Sequence, residues 1–169
     1  MKKTGSIVWS AFEGVLRFVV FRVLHIKLQE DIFDKFLQFV KFAVVGFSNV
    51  MVSYFFYLIF FGLFQIADIL PNVDYLIAQL IGYVLSIFWS FYWNRKYVFA
   101  QSADSVLWYQ ALIKSFVAYS FTGVLLNSIL SFLWVELMGM SKVIAPIINL
   151  VINVPINFVM NKFWAFRRR

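Results

Sequence analysis

Four stretches of this chain carry no charged residue: 42–67, 75–94, 115–135 and 143–161, with 26, 20, 21 and 19 residues. An apolar α-helix needs about 20 residues to cross the hydrocarbon layer of a bilayer, so each stretch is long enough to span. Inside lipid a backbone must bond its own polar groups, which leaves the helix as the state for segments of this kind. The composition agrees, with 63% hydrophobic and 14% charged residues, against about 25% charged in a soluble domain. The sequence predicts an all-α membrane protein with four transmembrane helices and excludes a soluble globular enzyme.

Orientation follows from the basic residues, because short loops rich in Lys and Arg stay in the cytoplasm. Lys2, Lys3, Arg17, Arg22, Lys27, Lys35 and Lys41 precede the first stretch; Arg95, Lys96 and Lys114 lie between the second and third; Lys162 and Arg167 to Arg169 follow the fourth. The other two loops hold Asp68, Asp74 and Glu136, with Lys142 as their only cation. Both termini are expected in the cytoplasm. The net charge of +7 flanks the spans instead of forming a separate basic domain, so its expected partners are membrane lipids or an anionic lipid-linked substrate and not nucleic acid.

Residues 1–38 form a first segment, apolar but interrupted by Glu13, Arg17, Arg22, Lys27, Glu30, Asp31 and Asp34. No part of it is long enough to span, which predicts an N-terminal interfacial amphipathic helix acting as a membrane-surface anchor. The basic pair at its start resembles a signal peptide, but the later charges and the lack of a small-residue cleavage site predict that it is retained. Residues 39–169 form the four-helix transmembrane domain. Within it, QSADSVLWYQALIK predicts a short second interfacial helix around Trp108 and Tyr109.

The chain has no cysteine and one histidine, His25, which removes disulfides, thiolate metal sites and cysteine nucleophiles. No metal, cofactor or catalytic activity is expected. No Asp or Glu lies in any uncharged stretch, so the embedded carboxylate that coupled pumps need is missing. Any transport is expected to run down a gradient.

A shift of 67 residues aligns Tyr75–Phe99 with Lys142–Phe166 without a gap, with seven of 25 positions identical. The shared ending, F-x-x-N-[RK]-x-[YW]-x-F, is the specific part. Two helices separate the copies, so both cross in the same direction and the repeat is parallel. The expected architecture is a two-plus-two bundle with pseudo-twofold symmetry about the membrane normal.

Each span carries a row of small or polar residues at a spacing of four, which winds slowly along one face. The fourth has Asn149, Asn153, Asn157 and Asn161; the second Gly82, Ser86, Ser90 and Asn94; the third Ser115, Tyr119, Gly123, Asn127 and Ser131; the first Asn49, Ser53 and Tyr57. Glycine and serine at such positions serve close helix packing. Four asparagines exceed what a packing register needs, because an unpaired amide in hydrocarbon costs several kcal/mol. Part of that row is expected to line a polar cavity, with Pro146 and Pro155 freeing backbone carbonyls beside it. Arg95 and Lys162 each follow a row asparagine directly, which makes them candidates to clamp a phosphate at the membrane edge. Lys114 lies at the same edge. Lys142, alone on the other side, either receives the anion after crossing or anchors its helix.

KFAVVGFSN at 41–49, NRKYVF at 94–99, SKVIA at 141–145 and NKFWAF at 161–166 together resemble the GtrA-like family of small four-helix bacterial membrane proteins. The resemblance runs from about Phe36 to Phe166. It implies translocation of a polyprenyl-phosphate-linked sugar across the bacterial cytoplasmic membrane, where a separate membrane glycosyltransferase uses it on a cell-surface polysaccharide. It maps the family's basic and asparagine positions onto Lys41, Asn49, Asn94, Arg95, Lys142, Asn161 and Lys162, with lysine at 162 where the family has arginine. A different role, as a non-catalytic subunit that positions a glycosyltransferase, remains open. Four helices make a thin bundle for a sugar path, so a homo-oligomer is expected.

Overall fold

The structure, a computed structural model, describes residues 7–26, 28–69, 73–103, 106–141 and 144–167. All regular structure among them is helical. Helix α1 (Ile7–Arg17) runs on as a π-helical turn, Phe18–Val23, and the chain then reverses at His25, whose φ of 51° is left-handed. Helix α2 (Glu30–Ala67) comes next. Phe12, Leu16, Phe21 and Leu28 pack around Val20, Phe33 and Leu37, closing a small apolar cluster between α1 and the start of α2. Arg17 reinforces it: its guanidinium lies 4.5 Å from the centre of the Phe33 ring and pairs with Glu13, with Glu30 at 2.9 Å and with Asp34 at 3.9 Å. The Glu30 hydrogen bond, ahead of the opposing burial, raises the Arg17 pKa above its ordinary value.

Glu30 and Asp31 occupy the first turn of α2, where carboxylates oppose the positive end of the helix dipole. No glycine or proline occurs from there to Val45, so nothing ends the helix where the apolar stretch begins. It therefore runs unbroken past residue 38, the expected edge of the N-terminal segment, and the break in the chain falls near His25. With 38 residues α2 is about 57 Å long, nearly twice the hydrocarbon thickness.

Helix α3 (Asp74–Trp93) continues as a π turn, Asn94–Val98, succeeded by a short α4 (Ala100–Ala103). One long run then joins α5 (Trp108–Ser120), a π segment Phe121–Leu126, α6 (Asn127–Phe132) and a π turn Leu133–Leu137. Trp108 and Tyr109, expected in a short separate helix, form the first turn of α5, since no proline separates them from the span. Helix α7 (Ala145–Met160) ends in a π turn, Asn161–Ala165. Glu30–Ala67, Asp74–Val98 and Trp108–Leu137 are each long and apolar enough to cross a membrane. The chain is a multi-pass membrane protein.

Helices α2 and α3 pack along their length. Gly82 makes this possible: a Cβ there would sit 2.5 Å from the Ser53 carbonyl oxygen and 3.0 Å from the Tyr57 nitrogen. The main core lies at the end of the bundle that carries Lys41, Arg95, Lys114 and Lys162, here called the basic end. It gathers Phe42, Val45, Ile87, Phe91, Val98, Phe99, Ala111, Tyr119, Ala165 and Phe166. Large apolar side chains such as Phe47, Met51, Leu80, Ile113 and Val151 stand exposed on the outside, the surface expected of helices solvated by lipid.

Candidate functional site

Both copies of the shared ending fold the same way. The Phe99 amide donates to the Asn94 carbonyl and the Phe166 amide to the Asn161 carbonyl, each at 2.8 Å. Each π turn stops at its phenylalanine, with φ and ψ of −111° and 25° at Phe99 and −109° and 23° at Phe166. Asn94 and Asn161 are buried, while Arg95 and Lys162, one residue on, are partly exposed. A π turn adds a residue to the helix and re-aims the side chains beyond it, a device common at functional sites. Here it sets a cation beside a buried amide at the basic end, twice.

The buried amides are held by helix α5. Asn94 Nδ2 donates to the Tyr119 hydroxyl at 2.9 Å and to Ser90 Oγ at 3.2 Å, and those two hydroxyls lie 2.7 Å apart. One turn away, Ser115 donates to Asn161 Oδ1 at 2.8 Å, while Asn161 Nδ2 donates to the Asn157 carbonyl and Oδ1, both at 2.9 Å. Ser115 and Tyr119 thus join the two asparagine turns through one face of α5. Farther along, Asn149 Oδ1 accepts from Trp134 Nε1 at 3.0 Å, and its Nδ2 donates to Asn127 Oδ1 at 3.0 Å and Ser131 Oγ at 2.7 Å. At Asn149 and Asn161 the polar row is therefore engaged in contacts between helices, and Asn157 Oδ1 accepts from Asn161 along the same helix. At Asn49, Asn94 and Asn153 the buried Oδ1 atoms have no hydrogen-bond partner. The groove of about 550 Å³ along the third run is apolar instead, lined by Phe116, Phe121, Val124 and Leu125 among others.

The cations stand on local partners. Arg95 Nη1 and Nη2 both donate to the Val106 carbonyl at 3.4 Å. Lys114 donates to the Trp164 carbonyl at 3.3 Å and lies over that ring. Lys162 lies over Phe158, 5.2 Å from the ring centre. Lys41 is 3.9 Å from Glu13 and 5.9 Å from the centre of the Trp9 ring. Lys142 lies outside the described residues. Among those described, no group of three His, Asp or Glu residues could hold a metal ion.

Residues 41–166 match the family described as the GtrA/DPMS transmembrane domain. The chain belongs to this family. The chain is also similar to three curated proteins. The cell wall teichoic acid glycosylation protein GtcA of Listeria monocytogenes is 27% identical over 104 residues, 62% of this chain and 72% of its own. GtcA of Listeria innocua is 28% identical over 98 residues, 58% and 68% of the two chains. The Bacillus subtilis membrane protein YwcD is 28% identical over 108 residues, 62% and 83%.

The GtrA/DPMS match begins at Lys41, so α1 and the first turns of α2 lie outside it. This is where the structure adds residues that spacing does not single out. Glu13 and Trp9 reach Lys41 from 28 and 32 positions away. Trp134, which completes the shell of Asn149, carries no periodic signal either.

Proposed function

We propose that this protein carries a polyprenyl-phosphate-linked monosaccharide from the inner to the outer leaflet of the bacterial cytoplasmic membrane, for glycosylation of a cell-surface polymer by a separate membrane glycosyltransferase, without making or breaking a covalent bond itself. The observation that carries this reading is the pair of matched π turns, each of which presents a cation next to a buried asparagine at the end of an apolar helix. A carrier phosphate sits at that depth, and an arginine beside lysines can neutralise it through charge-assisted hydrogen bonds. The GtcA relatives, named for teichoic acid glycosylation, support the same assignment.

In this reading α7 is a fourth span, both termini are cytoplasmic, and the two helix pairs are related by a pseudo-twofold axis along the membrane normal. Ile7, Val8, Val15 and Phe18 of the N-terminal segment are exposed although its other face is packed; they rest in the lipid interface. The phosphate first meets Arg95, Lys162, Lys41 and Lys114. The sugar hydroxyls find acceptors at Asn49, Asn94 and Asn153, the polyprenyl tail stays in lipid, and Lys142 receives the phosphate on the outer side. No carboxylate lies in the four uncharged stretches, so movement follows the gradient. Association of copies widens the thin bundle.

A second reading has its own support. The complete hydrogen bonding of Asn149 is that of helix glue, which suits a subunit that positions a glycosyltransferase. Purified protein in liposomes, loaded with polyprenyl-phosphate sugars and assayed for leaflet exchange, separates the two. Protein-dependent flipping is expected; its absence, with glycosyltransferase activity still dependent on the protein, establishes the positioning role.

A further inference from the structure

Helix α1 is tied to α2 at one end and reaches the edge of the bundle at the other. Arg17 fixes the tied end through Glu30 and Asp34. Toward its start, Trp9 lies against Tyr97, with ring centres 5.7 Å apart, and Tyr97 stacks on Trp93 at 5.2 Å and 19°. In the same stretch Glu13 Oε2 lies 3.9 Å from Lys41 Nζ, and Lys41 is only 17% exposed. Beneath the outer rings, Trp93 keeps a buried indole N–H with no acceptor. A cation of the proposed phosphate set is thus covered by a ring and paired to a carboxylate, next to a stack that holds an unused donor.

We propose that α1 is a strap over the Lys41 anion site and that the Glu13 carboxylate stands in there for the lipid phosphate. This rests on the reading of Lys41 as a phosphate ligand and adds its regulation. A carboxylate and a phosphate monoanion compete for the same ammonium, so a lipid phosphate gains Lys41 only as Glu13 leaves. Glu13 has an alternative partner ready in Arg17, 3.4 Å away, so its release strands no charge. The ties of Arg17 to Glu30 and Asp34 keep the strap on its hinge when it opens. Because the family match starts at Lys41, the strap is an addition to the four-helix domain.

The test measures binding of a polyprenyl phosphate to the full-length protein in nanodiscs. Glu13→Gln removes the competing charge and leaves the Arg17 ties, so it should tighten binding by about two- to fivefold, the range for a partly exposed ion pair. Lys41→Gln should weaken binding, and Glu13→Gln should add nothing on that background. Unchanged binding by Glu13→Gln beside weakened binding by Lys41→Gln overturns the strap alone. Full binding by Lys41→Gln, or no binding by any form, overturns the strap together with the phosphate reading of Lys41.

Discussion

Phe99 and Phe166 stack ring on ring, 4.7 Å between centres and 19° between planes, although 67 residues separate them in the chain. Phe91 stacks on Phe166 at 5.9 Å, and Phe158 on Phe99 at 6.0 Å. The 67-residue shift turns Phe91 into Phe158 and Phe99 into Phe166. Exchanging the two copies therefore maps the row of four rings onto itself, as in a self-complementary contact. The two cation-bearing turns are fastened to each other through these rings.

Phe99→Ala and Phe166→Ala should each lower the unfolding free energy in detergent by about 1–3 kcal/mol. That is less than in a soluble core, because the inserted reference state already shields the ring from water. The double variant should lose less than the sum, by about 0.5–1.5 kcal/mol, the coupling of an aromatic pair. Full additivity would show that the rings do not act together.

Gly82→Ala drives a methyl group into the backbone of α2 at Ser53, so it should cost about 1–3 kcal/mol of stability as overpacking. Gly46 and Gly62 have nothing within 4 Å of a built Cβ. Alanine at either should be neutral or stabilising, since glycine is the poorer helix former. Thermal unfolding of the three variants checks the contrast.

Asn149→Leu removes the partner of Trp134 Nε1, Asn127 and Ser131, and should destabilise by about 1–3 kcal/mol. Asn153→Leu removes an amide whose oxygen has no partner, so stability should hold or rise while leaflet exchange falls. Unimpaired exchange in Asn153→Leu would remove this residue from the sugar path.

Both acidic loops should face outward. Single cysteines at Asp68 or Met138 should react with an impermeant thiol reagent added to intact cells. Labelling of both only after the membrane is opened would reverse the proposed topology.

The first three uncharged stretches fall within helices long and apolar enough to cross a membrane, because a charge in lipid is costly. They do not reveal where a helix ends. Lys41 borders an apolar stretch yet sits inside α2, and the left-handed residue before that helix is His25, 16 positions earlier. The asparagine–cation pair at 94–95 and 161–162 was legible because it recurs. Its partners were not, because the separation between Ser115 and Asn161, 46 residues, lies beyond any helical period. An asparagine on every fourth residue looks the same whether it faces water or a neighbour. The hydroxyls and indole of the third run decide that, and they separate the bonded Asn149 and Asn161 from the under-bonded Asn153.

Arg95 is expected to be the principal phosphate ligand on the cytoplasmic side and Lys162 its weaker counterpart. The Arg95 guanidinium stands at the basic end beside buried Asn94, and its planar fork can bind two phosphate oxygens at once. Lys162 holds a point charge over the Phe158 ring and cannot make a two-pronged contact. Arg95→Lys keeps the charge, so insertion and topology should survive, while substrate binding should weaken by about 1–3 kcal/mol, the worth of a charge-assisted hydrogen bond. Lys162→Arg should bind equally well or better. Leaflet-exchange rates against substrate concentration distinguish the cases: normal transport by Arg95→Lys, with Arg95→Ala merely inverted in the membrane, would make Arg95 a determinant of orientation and not a ligand.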